Sequence, residues 1–179
     1  ERWNWNNVSP IGEASAVFKR HLSNMKISSR WLTQPVGHLA GKNSQVTRYY
    51  AVLQEDRKNQ IAQSMPAFNQ IACLEAPLLL VACAKKARSG YNRDGSFATN
   101  KEKGWQMYDV GLSNMLLSLK AYELGLGTVI MGYYDEQVVA QAINLADDQE
   151  VVAVIAVGYA DEMPEAPKRK NVEELLVIK

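Results

Sequence analysis

The sequence is poor in the residues from which metal sites and catalytic triads are built. Its 179 residues include two histidines, His21 and His38, and two cysteines, Cys73 and Cys83. Neither histidine has a partner at metal-ligand spacing, and no serine or cysteine nucleophile motif accompanies them. We therefore expect no metal site and no triad. The cysteines are far apart and Cys83 lies in an apolar run, so we expect inert core thiols in a reducing cytoplasm.

Long apolar runs and a surplus of one charge are also missing. No run approaches the roughly 20 apolar residues needed to cross a bilayer, and residues 1–7 lack the apolar core of a signal peptide. The formal net charge is +1, whereas nucleic-acid-binding domains usually carry a clear basic surplus. We expect neither a membrane nor a nucleic-acid partner. With 47% hydrophobic and 22% charged residues, residues 1–179 fit one globular domain.

The hydrophobic pattern that is present predicts a mixture of helices and strands. The predicted helices cover residues 12–26, 55–67, 105–124 and 135–144. The predicted strands cover residues 46–53, 78–84, 128–132 and 151–158, and a long loop covers residues 85–104. Apolar strands covered by helices, without strict alternation of the two, indicate a layered α+β domain.

The helix predicted at residues 105–124 is apolar around much of its circumference. One face collects Trp105, Tyr108, Leu112, Met115, Leu116, Leu119 and Tyr122. Val110 and Leu117 fall off that face. Such a helix is buried on several sides, so it is either a core helix or one shared with a second subunit.

Two glycines and one carboxylate of this region have structural interpretations. Gly125 and Gly127 follow a helix and precede a strand, which reverses the order of the dinucleotide-binding fingerprint. We therefore expect them to end the helix. Asp109 lies one turn into the apolar helix, where a carboxylate needs a partner, and we expect it to cap or to anchor a loop.

A chain without an acid–base or nucleophilic set can still catalyse a reaction if a cofactor brings the reactivity. A flavin needs glycine backbone beside its ring, an amide or hydroxyl at the ring edge and cations for its phosphate. Gly132 after an apolar strand, Gln34 in a loop and the basic cluster at residues 168–170 provide one of each. Each feature alone is a weak signal, and a basic triplet near a terminus is more often simply solvated.

The order of parts in the C-terminal half is more specific. Residues 124–132 read Leu-Gly-Leu-Gly-Thr-Val-Ile-Met-Gly and lead from a long helix through a turn into a strand that ends in glycine. A Gly-Tyr pair at residues 158–159, acidic residues, prolines and a basic cluster at residues 168–170 follow. This order resembles the nitroreductase family, homodimeric enzymes that hold FMN. The resemblance covers residues 76–175.

The N-terminal half matches the family less well. The family begins with an Arg-x-Ser-x-Arg segment that holds the phosphate and the polar edge of the flavin. Residues 2–6 align there and keep Arg2, but Asn4 and Asn6 replace the serine and the second arginine.

A second flavin-binding loop of the family, Ala-Pro-Ser-x-x-Asn-x-Gln-Pro-Trp, aligns with residues 27–36. Ser29, Gln34 and Pro35 match this loop, whereas Leu32 and Val36 stand in place of the asparagine and the tryptophan.

The resemblance implies a nitroreductase-like α+β fold, with a central and mainly antiparallel sheet flanked by helices in an interlocked homodimer. It implies that bound FMN takes hydride from NADH or NADPH and passes electrons to a nitroaromatic, quinone or related acceptor, with no side chain acting as acid or base. The residues implied to bind the cofactor are Arg2, Asn4, Asn6, Ser29, Gln34, Asn69, Met131, Gly132, Lys168, Arg169 and Lys170.

Two alternatives remain open at the level of sequence. The replacements Asn6, Leu32 and Val36 favour a non-catalytic homodimer that has lost or weakened flavin binding and acts as a ligand- or partner-binding protein. The other alternative keeps FMN but performs a special reaction, such as dehalogenation or a biosynthetic oxidation. The loop at residues 89–104 would decide between reactions of this kind.

Overall fold

A four-stranded antiparallel sheet lies at the centre of the computed structural model, which describes residues 40–161 and 167–179. In chain order the elements are β1 Thr47–Val52, α1 Glu55–Gln63, α2 Ala67–Glu75, β2 Leu78–Lys85, α3 Gly104–Glu123, β3 Gly127–Met131, α4 Glu136–Ala142, β4 Gln149–Gly158 and α5 Val172–Leu175. The strand order is β1-β2-β4-β3. The structure thus confirms the predicted α+β architecture. The helix predicted at residues 12–26 lies outside the described residues.

The middle of the sheet is buried on both faces. Residues Leu78 to Ala84 of β2 are all inaccessible to solvent, and their side chains alternate between two core clusters. Leu78 and Leu80 pack with α3, whereas Leu79 and Val81 pack with α1, α2 and α4. Helices on both sides explain why the sequence of β2 is continuously apolar and lacks the alternation of a half-exposed strand.

The single helix predicted at residues 55–67 is wrong. α1 ends at Gln63, and α2 begins at Ala67 after a turn. Proline disfavours helical geometry at the residue before it, which is Met65, and lacks the N–H of a helix interior. Pro66 therefore stands at the N-terminal boundary of α2, where these properties do no harm. The other predicted elements of the described segments agree closely with the observed ones.

Gly125 ends α3 as predicted, but Gly127 does not take part. Gly125 has a φ of +75°, the left-handed conformation that glycine adopts without strain. Its N–H donates to the carbonyl of Tyr122 at 2.9 Å, and the N–H of Leu126 donates to the carbonyl of Ala121 at 2.9 Å. These two bonds form a Schellman motif. Gly127 instead starts β3 and pairs with Gly158.

The polar and apolar residues of α3 are divided between its buried and exposed faces in an unusual way. The buried residues are Gln106, Asp109, Val110, Ser113, Asn114, Leu117, Ser118 and Ala121, so the inner face is largely polar. The predicted apolar face points away from the sheet, and Tyr108 there is 56% exposed. The interpretation of α3 as a helix enclosed in the core of one chain is therefore wrong.

Candidate functional site

The polar inner face of α3 holds the first part of the sheet in place. The Asp109 carboxylate accepts a hydrogen bond from the N–H of Gly41 at 3.0 Å, which confirms its predicted role as a loop anchor. The hydroxyl of Thr47 in β1 donates to the hydroxyl of Ser113 at 3.1 Å. These bonds fix α3 against β1 and the turn before it.

The loop between β2 and α3 is fastened at its start. Gln106 is 1% exposed, and its carbonyl oxygen accepts from the N–H of Arg88 at 3.0 Å. Its amide nitrogen donates to the carboxylate of Glu150 in β4 at 3.0 Å. A single buried amide therefore joins the loop, α3 and β4.

The same loop packs closely on the first turn of α3. Gly90 has a φ of +82°, and a Cβ added there would lie 2.8 Å from the Cβ of Trp105. At the loop tip the rings of Tyr91 and Phe97 lie 5.0 Å apart. The predicted long loop is thus an ordered segment with aromatic side chains.

The end of β3 leaves open backbone. Met131 is 2% exposed, and its sulfur lies against the core at 4.0 Å from the sulfur of Cys73. Gly132 follows and is exposed, with no atom within 4 Å of the position that a Cβ would take. A planar group can therefore approach the chain at Gly132 without a side chain in its way.

The start of α2 lies beside the end of β3. The N–H of Asp135 donates to the carbonyl of Ser64 at 3.1 Å, which joins the segment after β3 to the turn before α2. Asn69 lies one helical turn before Cys73, so it shares the helix face that contacts Met131. Met131 and Gly132 thus lie at the end of the edge strand β3, and Asn69 lies one helical turn from the residue that contacts Met131; we call these three residues the β3 edge site.

Sequence reasoning did not single out two exposed aromatic residues that are sequence neighbours of Asn69 and Gly132. Phe68 precedes Asn69 and is 67% exposed, and Tyr133 follows Gly132 and is 73% exposed. Their adjacency in sequence to Asn69 and Gly132 was the available signal. Exposed rings next to open backbone can pack against the faces of a planar ligand.

Tyr134 and Asp135 follow the β3 edge site in the chain. Burial raises the pKa of the Tyr134 phenol, and the nearby Glu136 carboxylate adds to this effect. Tyr134 therefore stays neutral at physiological pH. Asp135 is engaged as the N-cap of α4, where its carboxylate accepts from the N–H groups of Gln137 and Val138 at 2.9 and 3.3 Å.

The basic cluster of Lys168, Arg169 and Lys170 is exposed and precedes α5. Asn171 and Glu174 form a capping box at the start of that helix, so the helix begins directly after the basic cluster. The other residues predicted to bind the cofactor lie outside the described residues; they are Arg2, Asn4, Asn6, Ser29 and Gln34.

The chemistry of these exposed groups is compatible with a flavin mononucleotide. Open glycine backbone, an amide and exposed rings suit a flat heterocycle, and three cations suit a phosphate. Across residues 40–161 and 167–179, no group of three His, Cys, Asp or Glu side chains could hold a metal ion. In those segments, likewise, no helix has the length and apolar character needed to cross a membrane.

The sequence comparisons identify the family. The family model described as the nitroreductase family matches residues 34–159, which include the loop, all of α3 and the β3 edge site. The match spans well over half of the chain. The chain therefore belongs to the nitroreductase family.

Individual relatives are distant in sequence but close in fold. YfhC of Bacillus subtilis (strain 168), provisionally named an NAD(P)H nitroreductase, is 24% identical over 87% of this chain and 75% of its own length. A crystal structure from Staphylococcus epidermidis ATCC 12228, provisionally named an NAD(P)H:FMN oxidoreductase, aligns at TM-score 0.78, with 18% identity over 97% of this chain and 93% of that chain.

A further structural neighbour was crystallised with FMN. The structure from Exiguobacterium sibiricum 255-15, provisionally named a nitroreductase, is a complex with FMN. It aligns at TM-score 0.75, with 18% identity over 92% of this chain and 91% of that chain. At this level of identity the likeness shows a shared fold.

Proposed function

We propose that this protein is an FMN-dependent oxidoreductase that takes hydride from NADH or NADPH and delivers electrons to a nitroaromatic, quinone or related acceptor. The family match over residues 34–159 carries this proposal, because it includes the β3 edge site. When bound, FMN supplies the redox chemistry, and the protein supplies binding, orientation and electrostatics.

The chain's own residues act as binding groups in this proposal. Gly132 admits the flat ring, Asn69 offers an amide at its edge, and the cations at residues 168–170 hold the phosphate. Within the N-terminal half we assign cofactor contacts to Arg2, Asn4, Asn6, Ser29 and Gln34. A charge-assisted contact to phosphate contributes roughly 1.5–3 kcal/mol, so Asn6 in place of an arginine weakens binding without abolishing it.

A homodimer is part of the proposal. The outer face of α3, defined by the seven apolar residues predicted from the sequence, is exposed or half-buried in the single chain. The C-terminal arm, residues 172–179, is exposed throughout, with Ile178 at 89%. Apolar patches of this extent mark interaction surfaces. Two copies that meet through both surfaces would cover them. The two free thiols support a reducing compartment, the cytoplasm.

The first test is the visible absorbance of the purified protein, before and after addition of FMN and removal of the excess. We expect stoichiometric flavin that NADH or NADPH bleaches without air and that a nitroaromatic or quinone then reoxidises. A colourless protein that cannot be reconstituted with FMN would contradict the proposed activity.

A substitution at the β3 edge site tests the location. Gly132→Val adds a branched side chain where no neighbour lies within 4 Å, so we expect the fold to tolerate it. The added side chain would occupy the space in which the flavin ring approaches the backbone. We expect FMN affinity to fall at least about tenfold, which corresponds to about 1.4 kcal/mol. Gly104→Val is the matched control, because Gly104 also has no neighbour within 4 Å. Equal affinities in the two variants would place the ring elsewhere.

The altered N-terminal motifs favour the second candidate, a non-catalytic homodimer that binds a ligand or partner. Asn6→Arg and Leu32→Asn restore the family's residues at two positions. If the flavin site is only weakened, the double variant carries more FMN than the natural sequence. A double variant that remains without flavin supports the non-catalytic candidate.

A special FMN reaction, such as dehalogenation or a biosynthetic oxidation, is the remaining alternative. The ordered loop with Tyr91 and Phe97 motivates it. Turnover assays with a nitroaromatic, a quinone and a halogenated phenol distinguish these reactions once FMN content is established.

A further inference from the structure

Two polar side chains converge on the turn at residues 41–43, which precedes β1. A Cβ added to Gly41 would lie 3.4 Å from the hydroxyl oxygen of Ser89 and 3.8 Å from the carboxylate oxygen Oδ2 of Asp109. No other atom of the described residues outside this turn lies within 4 Å of that position. We call Gly41, Ser89 and Asp109 the polar notch.

Ser89 brings a buried hydroxyl group to the notch. Ser89 is 2% exposed, and its hydroxyl has no hydrogen-bond partner among the described residues. The hydroxyl of Ser44, which follows the same turn, is also buried without a partner in the described part of the chain. Buried hydroxyls nearly always have a partner, because desolvation without one costs free energy. These hydroxyls therefore indicate that a further group binds beside the turn.

Asp109 brings a buried carboxylate without a counter-charge. It is 4% exposed, and its carboxylate accepts a hydrogen bond from the N–H of Gly41 at 3.0 Å. No lysine or arginine of the described segments forms an ion pair with it, and this includes Lys42 on the same turn. Burial of a carboxylate is costly unless its charge is compensated. A cation in the notch would compensate it, whereas a neutral ligand would not.

We propose that the polar notch binds one monovalent alkali cation, potassium or sodium. Carboxylate, hydroxyl and carbonyl oxygens are hard ligands and suit hard cations. One positive charge balances Asp109, whereas a divalent ion would leave a net positive charge in a buried position. Residues 40–161 and 167–179 also contain no group of three His, Cys, Asp or Glu side chains that could hold a metal ion of higher charge. Gly41 is exposed, so the cation enters from solvent.

The cation would join three segments that are distant in the chain. Gly41 lies in the turn before β1, Ser89 lies at the start of the loop between β2 and α3, and Asp109 lies in α3. Its binding therefore couples the order of this loop to the salt composition of the solution. The inference concerns a site other than the β3 edge site and does not rest on the proposed oxidoreductase activity.

Thermal unfolding at constant ionic strength tests the proposal. Choline chloride is replaced stepwise by potassium chloride or sodium chloride, and choline is too large for the notch. A ligand that binds only the folded state raises Tm, and we expect a rise of about 3 °C at roughly 150 mM of at least one alkali salt. Equal Tm values in all three salts would overturn the proposal.

Ser89→Ala separates a cation ligand from an ordinary core hydroxyl. In choline chloride we expect this variant to be at least as stable as the natural sequence, because it removes an unpartnered buried hydroxyl. In the alkali salt it should show less than half of the natural rise in Tm. Ser118→Ala is the matched control, because Ser118 is also buried on α3 with an unpartnered hydroxyl. Equal rises in Tm in the two variants would contradict the assignment of Ser89.

Gly41→Ala places a methyl group in the notch. Its contacts at 3.4 and 3.8 Å are ordinary van der Waals distances, so we expect the fold to tolerate it and the rise in Tm to disappear. Gly104→Ala, where no neighbour lies within 4 Å, is the control and should keep the full rise. Asp109→Asn should also abolish the rise, because it removes the charge that the cation balances.

The line width of the sodium NMR signal gives a direct measurement that requires neither unfolding nor flavin. The natural sequence should broaden the signal, potassium chloride should reverse the broadening by competition, and Gly41→Ala should broaden it much less. Equal broadening by the natural sequence and Gly41→Ala would overturn the proposal even if Asp109→Asn fails to fold. The presence or absence of FMN in the preparation does not affect these outcomes, so a failure here is distinct from a failure of the proposed oxidoreductase activity.

Discussion

The two cysteines show how single side chains take their chemistry from their surroundings. Burial raises the pKa of both thiols to about 12, so about one molecule in ten thousand carries a thiolate at pH 8. We expect native protein to react very slowly with a disulfide reagent, and unfolded protein to release two equivalents at once. Ala98→Cys adds a thiol in the exposed loop and is the positive control. Rapid labelling of Cys73 or Cys83 in the native state would contradict their burial.

Backbone conformation gives a second test at this scale. Gly125 has a φ of +75° and Ala87 a φ of +52°. An L side chain costs about 1–2 kcal/mol in the left-handed region. Gly125→Ala should lower the free energy of unfolding by about 1 kcal/mol, and Ala87→Gly should leave it unchanged or raise it by up to about 1 kcal/mol. Urea denaturation measures both, and opposite signs would show that these angles are wrong.

Local rules predict some residue roles but not others. The role of Gly125 follows from the preference of glycine for the position that ends a helix. The role of Asp109 follows from the need of a buried carboxylate for a hydrogen-bond partner. Gln106 had no such signal, because its partners lie 18 residues before it and 44 residues after it. Long-range hydrogen bonds depend on how elements pack, and a periodic pattern does not specify that.

At the scale of elements, α3 was correctly located, but the sequence left open whether it lies in the core of one chain or is shared with a second subunit. The sequence shows an apolar face, and the usual expectation turns such a face toward the core. Here β1 and the loop offer hydrogen-bond partners such as Thr47 and Arg88 to most of the polar face, although the buried Ser118 hydroxyl has no partner among the described residues. Pro66 shows the opposite case, where a local rule was available and would have divided the helix predicted at residues 55–67.

The outer face of α3 can be tested with one substitution. Tyr108 is 56% exposed in the single chain, and Tyr108→Glu would bury a charge if a second copy covers it. We expect the dissociation constant of the proposed dimer to rise at least about 100-fold, which corresponds to a loss of about 2.7 kcal/mol of association free energy. Light scattering during size exclusion measures the mass. Gln60→Glu, on exposed α1 surface, is the control, and dimers of equal strength would place the interface elsewhere.

At the scale of the whole molecule, the C-terminal arm makes the clearest prediction. Leu176 is 57% exposed and Ile178 is 89% exposed, so the arm gains little from its own chain. Leu176→Ser with Ile178→Ser should shift the monomer–dimer equilibrium toward monomer by about tenfold or more. Glu173→Gln, a change without loss of apolar surface, is the control. An unchanged equilibrium would show that the arm does not contribute to association.

Whole-molecule features were the hardest to obtain from residues alone. Apolar strands and helices predict layers, but the strand order β1-β2-β4-β3 comes from pairings across distant parts of the chain. The resemblance of residues 76–175 to a known family provided the fold expectation. The same resemblance drew attention to Gly132, whereas Phe68 and Tyr133 required knowledge of their exposure.

The outward-facing apolar face of α3 also affects how long a newly made chain remains prone to aggregation. Strand pairing and the polar contacts of α3 form within one chain, at a rate independent of concentration. In the proposed homodimer, covering the outer face requires an encounter between two chains, so this step slows as the protein is diluted. At low concentration a chain of that dimer would therefore spend longer as an intermediate that displays apolar surface, a surface that chaperones bind.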